Sequence, residues 1–423
     1  MRTRAAAVVD LGAITANLSR VRELAGAADV MAVVKADAYG HGVAPVARAM
    51  RRAEVRWLGV ALPTEALALR AQGDDGRILA WLWSPQDPAI ASCVREGVDL
   101  SVSTPWALAE IVEAADRVGR PADIHVKVDT GLWRNGAPAA SLPDLLDAVA
   151  RAVQAGSVRL EGMWSHLADA DVPDAASLET QRGRFDAALD QAEARGLRPR
   201  VRHVGSTGSL WTAPQCQYDL VRVGIGLYGL TPGDALGTAA DLGLVPAMTL
   251  VTRLANVKRI DVGERVSYGG TWTAAEPTML GLVPLGYADG LPRSASGVAS
   301  VLVGDRLCPI VGRVAMDQCV VDLGATSVAR AGDEHHARGR DEDEPGVFPA
   351  AVDGRRLAPR QQQREGRGGE EDDVEEQAEA VGAQAAVERL LAVAPQDDGH
   401  HDRGGDAREG HQCRAVAAGV AAG

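Results

Sequence analysis

Lysine is nearly missing from this chain. Of 44 basic residues in 423, only Lys35, Lys127 and Lys258 are lysine. A lysine kept where arginine is the default suggests a task that guanidinium cannot do, because an amine can lose its proton and form a Schiff base. Cysteine is scarce as well. The five cysteines are scattered, with no CxxC pair and no zinc-ligand spacing. An odd count excludes a complete disulfide framework and points to reduced thiols in a cytoplasm, and no metal site is expected. No apolar run is long enough to span a membrane. The apolar run near the start is broken by Asp10 before it reaches signal-peptide length. Positive charge is also lacking: the net charge of −13 argues against nucleic acid or an anionic membrane as partner.

What is present is ordered along the chain. The length allows two or three domains. Up to about residue 225, short apolar runs alternate with helical patterns. The runs are Met31–Val34, Leu58–Val60, Ile78–Leu82, Val98–Val102, Ile124–Val128, Leu160–Met163, Val201–Val204 and Leu220–Val223. Eight such runs predict an α/β fold, a (β/α)₈ barrel over residues 1–238, with a doubly wound sheet as the rival. The residues just past the runs carry chemistry: Lys35, Trp83, Asp129 to Arg134, His166, Ser206 with Thr207, and Arg222. Barrel active sites gather at that C-terminal face.

From 239 to 333 the helical period fades. Strand-like runs appear at Met248–Leu254, Met279–Leu285, Val301–Val303 and Cys319–Leu323, with a Gly-Asp turn at 304–305, so this part reads as a mainly β domain. Residues 334–423 contain no Lys, Ser, Thr, Asn, Ile, Met, Tyr or Trp. Their 20 acidic residues against 11 arginines supply nine of the net negative charges. This composition reads as a low-complexity, disordered tail or as translation of a shifted frame. Within it, Val381 to Val393 could form a short helix, and the His pairs at 335–336 and 400–401 read as solvated sequence rather than metal ligands.

Lys35 lies in Val33-Val34-Lys35-Ala36-Asp37-Ala38-Tyr39-Gly40-His41-Gly42. Ala32 to Val34 read as a buried strand ending on the lysine, and Val43 to Met50 as a helix after the loop. Further motifs follow: Lys127 to Gly136 (KVDTGLWRNG), Ser165 to Asp171 (SHLADAD), His203 to Gly208 (HVGSTG) and Arg222 to Gly229 (RVGIGLYG). In the β domain stand Val266 to Trp272 (VSYGGTW), Gly286 to Gly290 (GYADG) and Gly312 to Gln318 (GRVAMDQ).

Taken in order, these motifs resemble the alanine racemase family, fold-type III enzymes that use pyridoxal phosphate. The likeness runs from about residue 5 to Asp333 and implies a cofactor-carrying barrel followed by a β domain. Lys35 would hold the pyridoxal and act as one catalytic base. Tyr39, Thr207, Gly224 and Ile225 would bind its phosphate. His166 would stack on or border its ring, His203 would belong to the cofactor-binding set, and Arg222 would face the pyridine nitrogen, where it cannot accept a proton. Arg134 would reach the phenolic oxygen and the substrate carboxylate, for which paired donors suit it. Lys127 would be carbamylated, as in some family members, or form an ordinary lysine–carboxylate pair.

Tyr268 would be the second base, opposite Lys35, since racemisation needs one group to take the Cα proton and another to return one. A phenol titrating near 10 needs an environment that stabilises the phenolate. Tyr287, Met316 and Asp317 would line the substrate entry. The family also implies alanine as substrate, a head-to-tail homodimer with shared sites, and D-alanine supply for peptidoglycan. Two departures stand out. Ser206 replaces the usual asparagine, and no tyrosine follows Tyr287, so a second phosphate-binding tyrosine is missing. An incomplete C-terminal domain leaves open a second reading, a cofactor-binding protein without activity.

Overall fold

The computed structural model describes residues 4–338; for 334–338 it gives the backbone only. The chain divides into two compact units, Ala7–Leu250 in one and residues 4–6 with Val251–His335 in the other.

The chain enters through β1 (Ala5–Val9). Asp10 then caps α1 (Leu11–Ala25): its carboxylate accepts from the N–H groups of Gly12 and Ala13 at 2.8 and 3.1 Å. The residue that ends the first apolar run is therefore a helix signal. Eight strands follow: β2 (Asp29–Val33), β3 (Trp57–Val60), β4 (Arg77–Ala80), β5 (Asp99–Val102), β6 (Ala122–Lys127), β7 (Val158–Trp164), β8 (Val201–His203) and β9 (Leu220–Val223). They pair in parallel in chain order, and β9 returns to β2 with Met31 opposite Arg222. The ring closes between β8 and β9 through a Ser206–Arg222 bridge, with the Arg222 N–H donating to Gly205 at 3.0 Å. A doubly wound sheet would not close, so the barrel reading holds.

The reason lies in burial. Strands β3, β5, β6 and β9 are buried at every residue, on the face toward the helices and on the face toward the barrel axis. Strands covered on both faces read as continuous apolar runs, which is why they were legible. The helices pack outside, among them α2 (Val43–Arg52) and, after β3, α3 (Pro63–Ala71). Met31, Trp57, Leu79 and Leu220 fill part of the barrel interior.

From Met248 on the described chain is built of short strands, four pairs of which are antiparallel. In chain order they are β10 (Met248–Arg253), β11 (Asn256–Ile260), β12 (Arg265–Val266), β13 (Trp272–Thr273), β14 (Thr278–Val283), β15 (Ser300–Val303), β16 (Arg306–Pro309), β17 (Cys319–Asp322) and β18 (Glu334–Arg338). The β15–β16 hairpin turns at Gly304-Asp305, where Gly304 takes a φ of 61°. Sheet orders are β1-β10-β18-β15-β16 and β11-β14-β17. β18 uses the first five residues past the composition break at 333, so strand pairing continues beyond it. The expectations for 339–423, including the helix at 381–393 and the His pair at 400–401, lie outside the described residues.

Candidate active site

Beyond β2 the backbone does something that no glycine announces. Ala36, Asp37, Ala38 and Tyr39 all take positive φ, between 51° and 56°. Left-handed turns cost L-residues roughly 1–2 kcal/mol each, so four in a row must be held by their surroundings. The Glu65 carboxylate does much of this. It accepts from the Ala36 N–H at 2.6 Å and from those of Ala61 and Leu62 at 2.9 Å, tying the end of β2 to the end of β3. Asp37 accepts from the Val43 N–H at 2.6 Å and so joins the turn to the start of α2. The turn brings the Tyr39 ring to 4.8 Å from that of Tyr228, whose hydroxyl donates to the Val33 carbonyl at 2.9 Å.

The turn sets Lys35 at the mouth of a cleft at the C-terminal end of the barrel. The cleft has a volume of about 840 Å³ including its open mouth. Lys35, Tyr39, Lys127, Arg134, His166, Thr207, Arg222, Gly224 and Ile225 all line it. Residues from β2, β6, β7 and β9 and the loops after them thus meet at one place. Among the described residues, four basic side chains line the cleft and Asp171 is the one acidic residue that does.

That excess of cations shifts the amines. Burial, then Arg134, pulls the pKa of Lys35 down, partly opposed by Glu65. Lys127 is buried and falls to about 7, first through burial and then through Arg222 and Arg134, against Asp129. His166 is driven well below the usual histidine range by burial, Arg222, Arg134, Lys127 and Lys35. Burial raises the Tyr39 phenol to about 12.

Arg222 is the anchor of the floor. Its guanidinium donates to the carbonyls of His203, Ser165 and Val204 at 2.9, 2.8 and 3.1 Å. It also donates to Nδ1 of His203 and of His166, each at 3.1 Å. Burial lowers its pKa to about 9, still charged at neutral pH. His203 lies behind Arg222, fully buried, with its ring stacked on Trp164 at an angle of 7°. It does not line the cleft.

Gly224 is a place of close approach. A Cβ there would run into the Tyr39 hydroxyl. Its N–H reaches the Thr207 hydroxyl at 3.3 Å. Two tryptophans, Trp81 and Trp164, also line the cleft and were not foreseen. The apolar run Ile78–Leu82 points to Trp83 instead, because it extends two residues past the end of β4. The Trp83 indole N–H is buried with no partner among the described residues. The signal for Trp164 was its place at the end of β7.

The other expected residues belong to the β unit and are described within it. The Tyr287 and Ala288 N–H groups donate to the Ala315 and Met316 carbonyls at 3.0 and 2.8 Å, and the Ser267 hydroxyl donates to the Arg313 carbonyl at 2.7 Å. The segments 266–270, 286–290 and 312–317 therefore come together. Tyr268, Met316 and Tyr287 are 71%, 59% and 42% exposed, unusually open for large apolar side chains. Arg4 donates to the Asp317 carbonyl at 3.4 Å and pairs with Asp289.

Comparison with known proteins decides the kinship. The family model "Alanine racemase, N-terminal domain" matches residues 9–232, and "Alanine racemase, C-terminal domain" matches 247–351. The chain belongs to the alanine racemase family. The alanine racemase of Beutenbergia cavernae is 50% identical over 330 residues, covering 78% of this chain and 86% of its own. That of Streptomyces coelicolor is 49% identical over 326 residues, covering 76% and 83%. Among solved structures, the alanine racemase of Streptomyces lavendulae matches with a TM-score of 0.77 at 47% identity, covering 79% of this chain and 87% of its own. The family member from Bartonella henselae, solved with covalently bound pyridoxal phosphate, matches with a TM-score of 0.71 at 26% identity, covering 80% and 91%. No described helix is long and apolar enough to cross a membrane, and no described group of His, Cys, Asp and Glu could hold a metal ion.

Proposed function

We propose that this chain racemises alanine with pyridoxal phosphate, using Lys35 and Tyr268 as opposed bases. The observation that carries the reading is Lys35 itself. It is an amine of lowered pKa at the mouth of a four-cation barrel cleft, in a chain half identical to alanine racemases.

The residues present fit the cofactor. Its phosphate needs positive charge and close backbone approach, and the Gly224 cradle beside Tyr39 and Thr207 offers a gap that a Cβ would close. Lys35 would hold the aldehyde end, Arg222 would face the pyridine nitrogen, and Ile225 would join the phosphate site. When bound, the cofactor supplies an electron sink that acidifies the substrate Cα–H.

The chain's own side chains do the rest. Arg134, exposed at the rim, binds the substrate carboxylate through paired donors. Lys35, neutral more readily than an ordinary lysine, takes or returns the Cα proton on one face. Arg222 has only N–H groups to offer, so it gives no acceptor to a protonated ring. Lys127 sits among cations, and a carbamate there would turn a neutral amine into an anion beside Arg134.

The second base is proposed to act across a homodimer, with Tyr268 of the partner subunit facing Lys35, and Tyr287, Met316 and Asp317 lining the entry. The open apolar side chains at 268, 287 and 316 support a covered surface. We place domain limits at 1–238 and 239–333, and the protein in the cytoplasm. The buried free thiols of Cys93, Cys216, Cys308 and Cys319 support that placement. There its product would feed peptidoglycan.

The test is a chiral assay of alanine with purified protein, paired with borohydride reduction and peptide mapping. Interconversion of L- and D-alanine, with the reduced label on Lys35, is expected. Label on Lys35 without interconversion would favour a cofactor carrier instead, and no label on Lys35 would end the proposal.

A further inference from the structure

The barrel interior holds a line of polar groups that the catalytic scheme does not use. It starts in the cleft at Arg222 and ends near the opposite, N-terminal face at Asp99, the first residue of β5. Arg222 donates to His203 Nδ1 at 3.1 Å. His203 Nε2 lies 2.9 Å from His125 Nδ1, and His125 Nε2 lies 3.1 Å from Asp99 Oδ2. All three residues beyond Arg222 are buried, and both histidine rings and the aspartate are fully so.

The proton positions along this line follow from one fact. A guanidinium can only donate. His203 Nδ1 must therefore be bare, and its proton sits on Nε2. That proton can only point to His125 Nδ1, so His125 Nδ1 is bare too and Nε2 carries its proton. The line then ends on a carboxylate, which only accepts. Every bond runs the same way, and hydrogen bonds so aligned polarise one another.

Two further observations show that the line is built. A Cβ at residue 162 would collide with His125 Nδ1, so Gly162 is what lets the imidazole enter the barrel. Arg77 pairs with Asp99 at 2.6 Å, with Glu161 at 3.0 Å and with Asp123 at 3.7 Å, closing the far end. Asp99 Oδ2 takes both Arg77 and His125, while Oδ1 has no partner among the described residues.

We propose that Asp99 is a positioning residue: through His125 and His203 it sets the direction of the hydrogen bonds reaching Arg222 and holds that guanidinium in place at the cleft floor. It touches neither substrate nor cofactor. The proposal deepens the racemase reading and rests on it for its effect on rate, although the bond pattern itself does not.

The test is nitrogen NMR on full-length protein with ¹⁵N-labelled histidine, cofactor-free and loaded. Wild-type protein should show His125 and His203 with protons on Nε2, and a ¹⁵N–¹⁵N coupling across the His203–His125 bond. In Asp99→Asn the Nε2 protons of both rings should move upfield. Racemisation by that variant should lose about tenfold in kcat, as when an outer partner orients a working imidazole, with KM little changed. A proton on Nδ1 of His203, or no coupling in the wild type, overturns the proposal even if Asp99→Asn fails to fold. So does an Asp99→Asn protein whose His203 signals stay in place, which would leave Asp99 a structural ion pair. The cofactor-free spectra do not depend on activity, so failure of the racemase reading would show separately.

Discussion

The Lys127 ammonium nitrogen lies 4.2 Å from the centre of the Trp164 ring, and the Arg222 guanidinium carbon lies 4.8 Å from the same ring. One aromatic ring thus borders two basic side chains, in a cleft that also holds Arg134 and Lys35. An arrangement this rich in positive charge favours loss of one proton or gain of an anion.

Lys127 is the group expected to yield. At a pKa of about 7 its neutral amine is well populated at neutral pH and can add to carbon dioxide, forming an N–C bond and releasing a proton. Protein given ¹³C-bicarbonate should show a carbamate carbon signal that Lys127→Ala lacks. In bicarbonate-free protein the lowered pKa also makes a stability prediction. Between about 7 and the ordinary value of 10.5 the unfolded chain binds more protons than the fold, so stability should rise with pH across that window. Lys127→Met should flatten that rise in a Tm-against-pH series. A slope that does not change would mean the amine is not shifted.

Glu65 should act on Lys35 in two ways. Its carboxylate holds three N–H groups around the left-handed turn and raises the Lys35 pKa. Glu65→Gln is expected to destabilise the fold by roughly 1–3 kcal/mol in urea unfolding, through the charge-assisted bonds lost. It should also lower the Lys35 pKa further, moving the acid limb of the kcat profile, which reports the substrate complex, to lower pH. An acid limb shifted to higher pH would contradict this.

Gly224→Ala places a methyl group against the Tyr39 hydroxyl. Cofactor affinity should fall, by about tenfold if the clash costs roughly 1.4 kcal/mol. Titration of cofactor-free protein with pyridoxal phosphate measures it. The double variant with Tyr39→Phe should recover part of the loss, because the hydroxyl is the group met.

Tyr268→Phe removes the proposed second base and keeps the ring. Racemisation should drop by roughly 10²–10⁴-fold, the usual worth of a placed acid or base. Exchange of the L-alanine Cα proton with deuterated solvent should be affected differently from that of D-alanine, since only one face loses its base. Equal loss for both enantiomers would argue against opposed bases.

Much of the fold could be read before the structure. Barrel strands such as β3, β5 and β9 were visible because both of their faces are buried, which leaves short runs rich in apolar residues. Strand β11 was missed for the opposite reason: Asn256, Lys258 and Arg259 are exposed, so its sequence carries no apolar signal. The left-handed turn at 36–39 was hidden because, apart from Asp37, Ala-Asp-Ala-Tyr has no residue that enters that region readily, and contacts with Glu65 and α2 hold it there. The cleft residues were found by the family's motifs, and those that lack a motif, such as Trp81, were not.

The order of the chemistry was written in the chain: which strand ends carry Lys35, Lys127, His166 and Arg222, and in what sequence. The tertiary structure alone decided what state those groups hold. The Lys127 pKa falls to about 7 because the fold buries the amine and brings Arg222, far along the chain, near it together with the neighbouring Arg134. The proton positions of His203 and His125 are set by Arg222 and Asp99, at opposite ends of one barrel. Charge and tautomer depend on distance and burial, and neither exists until the ring of strands closes.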